Sequence, residues 1–271
     1  MGTKLNRISP LRRRVFFTFC MLVFVACGCV THIQQLREAQ TQFNMAATAE
    51  NRARLGDPGE ALLSTGEATT SYRMAVKIVS ELLEKNKSNL AKDRLLGTAY
   101  TIKAMAEWRL GDYGSAMKTV SDALGNSKAK VFERDRILLL AIRGLVKNDQ
   151  AFHHMMKKDY PYADLKRLLR DSLANLNTAL SQAPRGSKIR LYILLSELAA
   201  LKNWADLRGN PRAYAVLTPE HFDKAREIDE WCTIASVVWG NFEKEAGKLE
   251  LTGAALLRDW GRRIAMPDTC K

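Results

Sequence analysis

Four histidines and five cysteines are the side chains of this 271-residue sequence best suited to hold a metal or run a reaction. His153 and His154 are adjacent. Neighbours on a helix point about 100° apart, so these two rings do not converge on one ion. With Met155, Met156, Lys157 and Lys158 they precede Tyr160-Pro161 and read as a helix end. His32 and His221 have no evident catalytic partner, and the acid pairs Asp229-Glu230 and Glu243/Glu245 sit among bases and read as solvated helix faces. The nucleophile elbow GxSxG, the zinc motif HExxH, the phosphate loop GxxxxGK and the dinucleotide loop GxGxxG do not occur. No metal-type CxxC with a second pair exists, which speaks against zinc. The chain is therefore expected to be no enzyme and to carry no cofactor or metal. Carboxylates or histidines gathered from distant segments are the one enzymatic route left open.

The elements that would position these groups are helices. Apolar residues are 46% and charged residues 26%, which fits a folded chain. Sixteen glycines and seven prolines are too few for a collagen-like chain or a many-turned β-sandwich. They mark breaks at Gly56-Asp57-Pro58-Gly59, Gly111-Asp112, Gly125-Asn126, Tyr160-Pro161, Pro184-Arg185-Gly186, Gly209-Asn210-Pro211 and Thr218-Pro219. Between the breaks, apolar residues recur at three- and four-residue steps, as in Leu165, Leu168, Leu169, Leu173, Leu176 and Leu180, or Ile189, Ile193, Leu194, Leu198 and Leu201. Short breaks between such segments predict antiparallel helical hairpins. Val237-Val238-Trp239 falls inside a helical repeat rather than a strand. The net charge is +13; Lys4, Arg7, Arg12, Arg13 and Arg14 supply five of these charges, leaving +8 for the rest. The remaining bases are spread over all helices and interleaved with acids, a pattern that favours anionic lipid heads or envelope polymers over nucleic acid.

Ahead of the helices, a basic start ending in Arg12-Arg13-Arg14 is followed by an uncharged stretch from Val15 to Gly28 and then by Cys29. Those 14 residues would span roughly 21 Å as a helix, short for a bilayer core of about 30 Å but normal for a signal peptide. Ala26-Cys27-Gly28-Cys29 resembles the lipobox of bacterial lipoproteins, in which small residues precede a cysteine that is lipidated and becomes the new N-terminus. Cys29 is the favoured site and Cys27 the alternative; the leucine usual three positions before the cysteine is Ala26 for the first and Phe24 for the second. The resemblance implies a signal peptide over residues 1–28, a palmitate-type lipid anchor, and a protein held at the bacterial cell envelope facing the periplasm. Val30, where an aspartate would favour the inner membrane, points to the outer one. An ordinary cleaved signal or an uncleaved anchor remains the alternative.

The segment from Thr98 to Leu124 resembles a tetratricopeptide repeat (TPR). Ala104 lets two helices approach, Leu110-Gly111-Asp112-Tyr113 makes a tight turn plugged by an aromatic ring, and Ala116, Val120 and Ala123 form the packing face of the second helix. The departure is Glu107, where the family usually has an aromatic. Tyr72, Ala75, Val79, Leu82 and Leu83 echo the second-helix spacing, and Leu55-Gly56-Asp57 and Leu201-Lys202-Asn203-Trp204 look like further turns. These turns are 55 and 91 residues apart, neither a multiple of the usual repeat of about 34. The expected fold is thus all-α: an irregular TPR-like α-hairpin array (an α-α superhelix) over residues 29–207, closed by a C-terminal helical cap over 208–271. In the cap, Trp231, Ile234, Ala235, Val238 and Phe242 share one helical face and read as core.

The resemblance implies a scaffold or adaptor that binds a protein or peptide partner. Carried over position by position, the family's inner groove falls on Thr98, Thr101, Met105 and Trp108, the competing reading being that Met105 and Trp108 pack against the next hairpin. A small-molecule-binding accessory of a solute transport system is the alternative function, and it requires an enclosed apolar pocket of roughly 300 Å3 or more. After export and cleavage before Cys29, Cys232 and Cys270 are the thiols that remain. In an oxidising compartment they either form a disulfide or stay apart, with Cys232 buried and Cys270 free.

Overall fold

A computed structural model describes residues 31–56, 66–125, 131–216, 224–246 and 261–262. It is all-α, as expected. The helices are α1 (His32–Gly56), α2 (Gly66–Lys85), the short α3 (Lys87–Lys92), α4 (Leu96–Arg109), α5 (Tyr113–Gly125), α6 (Glu133–Lys157), α7 (Tyr162–Gln182), α8 (Lys188–Gly209), the single turn α9 (Pro211–Tyr214) and α10 (Lys224–Ala246). Among the described residues the only β-type pairing is an isolated bridge between Pro161 and Val216. No helix of the described residues is long and apolar enough to cross a membrane. The signal segment 1–28, Cys29 and His221 lie outside the described residues.

Local chemistry explains the breaks. At the end of α4, Gly111 takes φ +76, a left-handed conformation that suits glycine. Its N–H donates to the Trp108 carbonyl and the Asp112 N–H to the Glu107 carbonyl, closing the helix by a Schellman motif. Asp112 then opens α5 by accepting from the Ser115 N–H at 3.1 Å. The turn expected at Leu110 to Tyr113 is therefore a C-cap joined directly to an N-cap. The turn expected at Leu201 to Trp204 does not exist: those residues lie inside α8, with Leu201 and Trp204 wholly buried. No residue from Leu201 to Trp204 takes a left-handed conformation, Asn203 included, and the helix runs on to Gly209.

The helices stack as successive pairs: α1 with α2, α4 with α5, α6 with α7, and α8 with α10. Each second helix also packs on the first helix of the next pair (α2 on α4, α5 on α6, α7 on α8), and the first helices touch in turn, α1 to α4 to α6 to α8. One hydrophobic core runs along this row, from Leu36 and Phe43 through Tyr72, Val79, Val120, Leu139 and Leu165 to Trp204, Trp231 and Phe242. Helix α10, in the segment expected to cap the row, packs on α8. The stripe expected as core holds Trp231, Ala235, Val238 and Phe242 buried, with Ile234 partly so.

Close approach in the row depends on small residues. Ala104 on α4 and Ala116 and Ala123 on α5 are buried, while Leu110 and Tyr113 are partly buried against the core. Between α6 and α7, a Cβ on Gly144 would stand 2.6 Å from Leu176 Cγ and 2.9 Å from the Ser172 carbonyl oxygen, and the Ser172 hydroxyl donates to the Gly144 carbonyl at 2.7 Å. Ala104→Leu and Ala116→Leu should each cost about 1–3 kcal/mol by overpacking these contacts. Urea unfolding followed by circular dichroism checks it; wild-type midpoints for both variants would mean that the sites are not tightly packed.

Candidate functional site

Of the four positions expected to line a groove, Thr98 and Trp108 are instead used in joining α4 to α6, and Thr101 is buried. Trp108 is 6% exposed, and its indole N–H donates to Asp149 Oδ2 on α6 at 2.8 Å. The Thr98 hydroxyl donates to Asp135 Oδ2, also on α6, at 3.1 Å. Thr101 is 5% exposed and its hydroxyl returns to the Gly97 carbonyl of its own helix. Met105 is partly buried against the core. The expected groove is corrected accordingly: the neighbouring first helix occupies the face that these residues present. Burial pushes the Asp135 carboxyl above its ordinary value, while the Thr98 hydroxyl and the Arg134 charge pull it back.

Similar polar ties recur along the first helices. Arg109 of α4 pairs with Glu50 of α1 at 3.8 Å, and Asn203 of α8 donates to Asn148 of α6 at 2.9 Å. Glu107, the residue that departs from the repeat pattern, is buried and joins α4 to α5. It accepts from the Thr119 hydroxyl at 2.7 Å and pairs with Lys103. A buried carboxylate of this kind is tolerated because both oxygens are engaged.

Between α7 and α10 lies a cleft of about 540 Å3 lined by Lys166, Arg170, Arg226, Asp229, Glu230 and Thr233. Lys166 pairs with Glu227 and, at 2.8 Å, with Glu230; Arg170 reaches Glu230 at 3.0 Å. The Tyr162 hydroxyl donates to the buried Glu227 at 3.1 Å, and its phenol is pushed up, first by burial and then by the Glu227 charge. Every lining side chain is polar or charged, so this cleft lacks the apolar walls that a solute carrier of the expected kind requires. Lys166 and Arg170 are neutralised there by Glu227 and Glu230.

The expectation of solvated faces holds for Asp229 and Glu243, which are exposed, and fails for Glu230 and Glu245. Glu245 is buried and pairs with Arg190 Nε at 3.0 Å, and Glu230 anchors two cations. Glu197 of α8 went unremarked in the sequence. It is 1% exposed, and neither of its oxygens has a hydrogen-bond partner. Burial pushes its carboxyl up to about 8, against the opposing pull of Arg190. A signal was present: Glu197 falls in step with Leu194, Leu201 and Trp204 on one face of α8, an acid in an apolar stripe.

His153 and His154 sit in the last turns of α6. His154 stacks on Tyr160 at 4.0 Å and pairs with Asp159 at 3.3 Å, while His153 meets Tyr113 edge-on at 6.4 Å. Among the described residues there is no group of three or more His, Cys, Asp or Glu side chains placed to hold a metal. Cys232 of α10 is disulfide-bonded, and every other cysteine lies outside the described residues, Cys270 included. Mass spectrometry of unreduced protein should find Cys232 joined to Cys270. A bridge closing a loop of this length contributes about 3–4 kcal/mol in the chain-entropy model. Two alkylatable thiols, or a bridge to another cysteine, would overturn that pairing.

No protein-family model matches the chain, and no curated protein or solved structure matches it.

Proposed function

We propose that the chain is a lipid-anchored scaffold of the bacterial cell envelope. It binds a protein or peptide partner on a TPR-like row of helical hairpins, at the periplasmic face of the outer membrane. The observation that carries this reading is the stacking of four helix pairs, whose first helices follow one another from α1 to α8. Such a row offers a long surface built from many short elements, which suits an extended partner better than a compact substrate. The lipobox-like Ala26-Cys27-Gly28-Cys29 supports the anchor. Because Thr98 and Trp108 are spent on the α4–α6 joint and Thr101 and Met105 are buried or partly so, the contact surface lies on first-helix side chains that remain exposed, such as Met45 on α1 and Tyr192 on α8.

Two experiments test the two halves. Metabolic labelling with an alkyne fatty acid should mark the wild type and fail with Cys29→Ser. Labelling that persists in Cys29→Ser and vanishes in Cys27→Ser moves the site to Cys27, and labelling that survives the double variant ends the anchor reading. Photocrosslinking residues placed at Met45 and Tyr192 should capture a discrete partner in intact cells, whereas Met74 on α2 and Val237 on α10, exposed on second helices, should not. Capture from the second helices alone would reverse the assignment of the binding face.

A further inference from the structure

We infer that the segment from Lys85 to Arg94 is a docking surface for the anionic lipid headgroups of the membrane that holds the anchor. The inference rests on the anchor reading proposed above. Within these ten residues Lys85, Lys87, Lys92 and Arg94 are all exposed. The one acid among them, Asp93, is held at 2.6 Å by His32 Nε2. Leu90 is buried, which pins α3 to the core and leaves Lys87 and Lys92 on the outside. Arg94 closes α3 in a left-handed conformation, φ +61, with its N–H on the Ala91 carbonyl and the following Leu95 N–H on the Leu90 carbonyl. The cations are thus carried on a fixed turn.

Where the chain enters the row decides what faces this turn. Helix α1 begins at His32, three residues after Cys29. Three residues reach about 10 Å at most. A lipid on Cys29 therefore keeps the first turn of α1 close to the headgroups, and the His32–Asp93 contact brings the α3–α4 turn to the same place. The four cations of this turn are then held within roughly one to two Debye lengths of the bilayer surface. Cations so placed are attracted by anionic lipids and ignore neutral ones. The tether supplies proximity, and the basic turn orients the row on the surface.

The test uses the full lipidated protein, reconstituted into vesicles of phosphatidylcholine alone or of phosphatidylcholine with phosphatidylglycerol. An amine-reactive reagent followed by mass spectrometry reads the labelling of Lys85, Lys87 and Lys92 against Lys118, an exposed lysine of α5. In anionic vesicles the three lysines should label about fivefold more slowly relative to Lys118, and high salt should restore them. In neutral vesicles labelling should match that in detergent. The double variant Lys87→Glu/Lys92→Glu should still float with both vesicles, while Lys85 loses its lipid-dependent protection. Protein that floats with both vesicle types and labels equally in each overturns the docking surface and leaves the anchor standing. Protein that fails to float with neutral vesicles overturns the anchor, and the docking surface with it.

Discussion

Trp108→Ala should destabilise the folded chain by about 3–5 kcal/mol, whether or not a partner is present. The indole is nearly sealed between α4 and α6, with the Arg109 guanidinium 4.4 Å from its ring centroid. Truncation leaves a cavity at the joint between two first helices and removes the donor that satisfies Asp149 Oδ2. Trp108→Phe separates the two losses. It fills most of the space and forfeits the N–H, and should cost about 0.5–1.5 kcal/mol for the one hydrogen bond lost. Urea midpoints read by circular dichroism give both values. A wild-type midpoint for Trp108→Ala, together with lost partner binding, would return this residue to an open groove.

Glu197 should make stability fall as pH rises. Its folded value of about 8 lies above its ordinary 4.5, so the folded chain holds this proton more tightly than the unfolded chain does. The unfolded state therefore sheds the proton first. Stability is greatest below about pH 4.5 as far as this group is concerned, declines between there and about pH 8, and stays low above it. The full swing is at most about 5 kcal/mol, an order-of-magnitude ceiling, because the surrounding helices relax and admit water. Glu197→Gln removes the titration while keeping the shape. Its stability relative to wild type should climb by several kcal/mol from pH 5 to pH 8.5, as measured by urea unfolding across that range. Parallel curves for the two proteins would show that Glu197 is solvated.

The contrast between these residues shows what the sequence could tell. The turn at Leu110 to Tyr113 was legible because its determinants, Gly111 at φ +76 and Asp112 as a cap, lie within a few residues of one another. The stripe through Trp231, Ala235, Val238 and Phe242 was legible because helical periodicity decides which face is buried. The groove was misread because the partners of Thr98 and Trp108 lie 37 and 41 residues away, on α6, and nothing local announces them. Glu245 was misread for the same reason: its ion pair with Arg190 exists only once α8 and α10 lie side by side. Leu201 to Trp204 shows the opposite failure, in which a likeness of residue types suggested a turn that the backbone had no cause to make.

The row of helix pairs also imposes an order of assembly. A polypeptide delivered N-terminus first, from a ribosome or a translocon, can complete α1 with α2 and α4 with α5 from residues already delivered, since each pair needs only its sequence neighbours. The start of α7 is different. Tyr162 and Lys166 find Glu227 only 65 and 61 residues later, so its charges wait without their partner until α10 emerges. A nascent chain halted near residue 210 should therefore hold its first three hairpins in a protease-resistant form while α8, without its partner, stays open to cleavage, and arrival of α10 should close it.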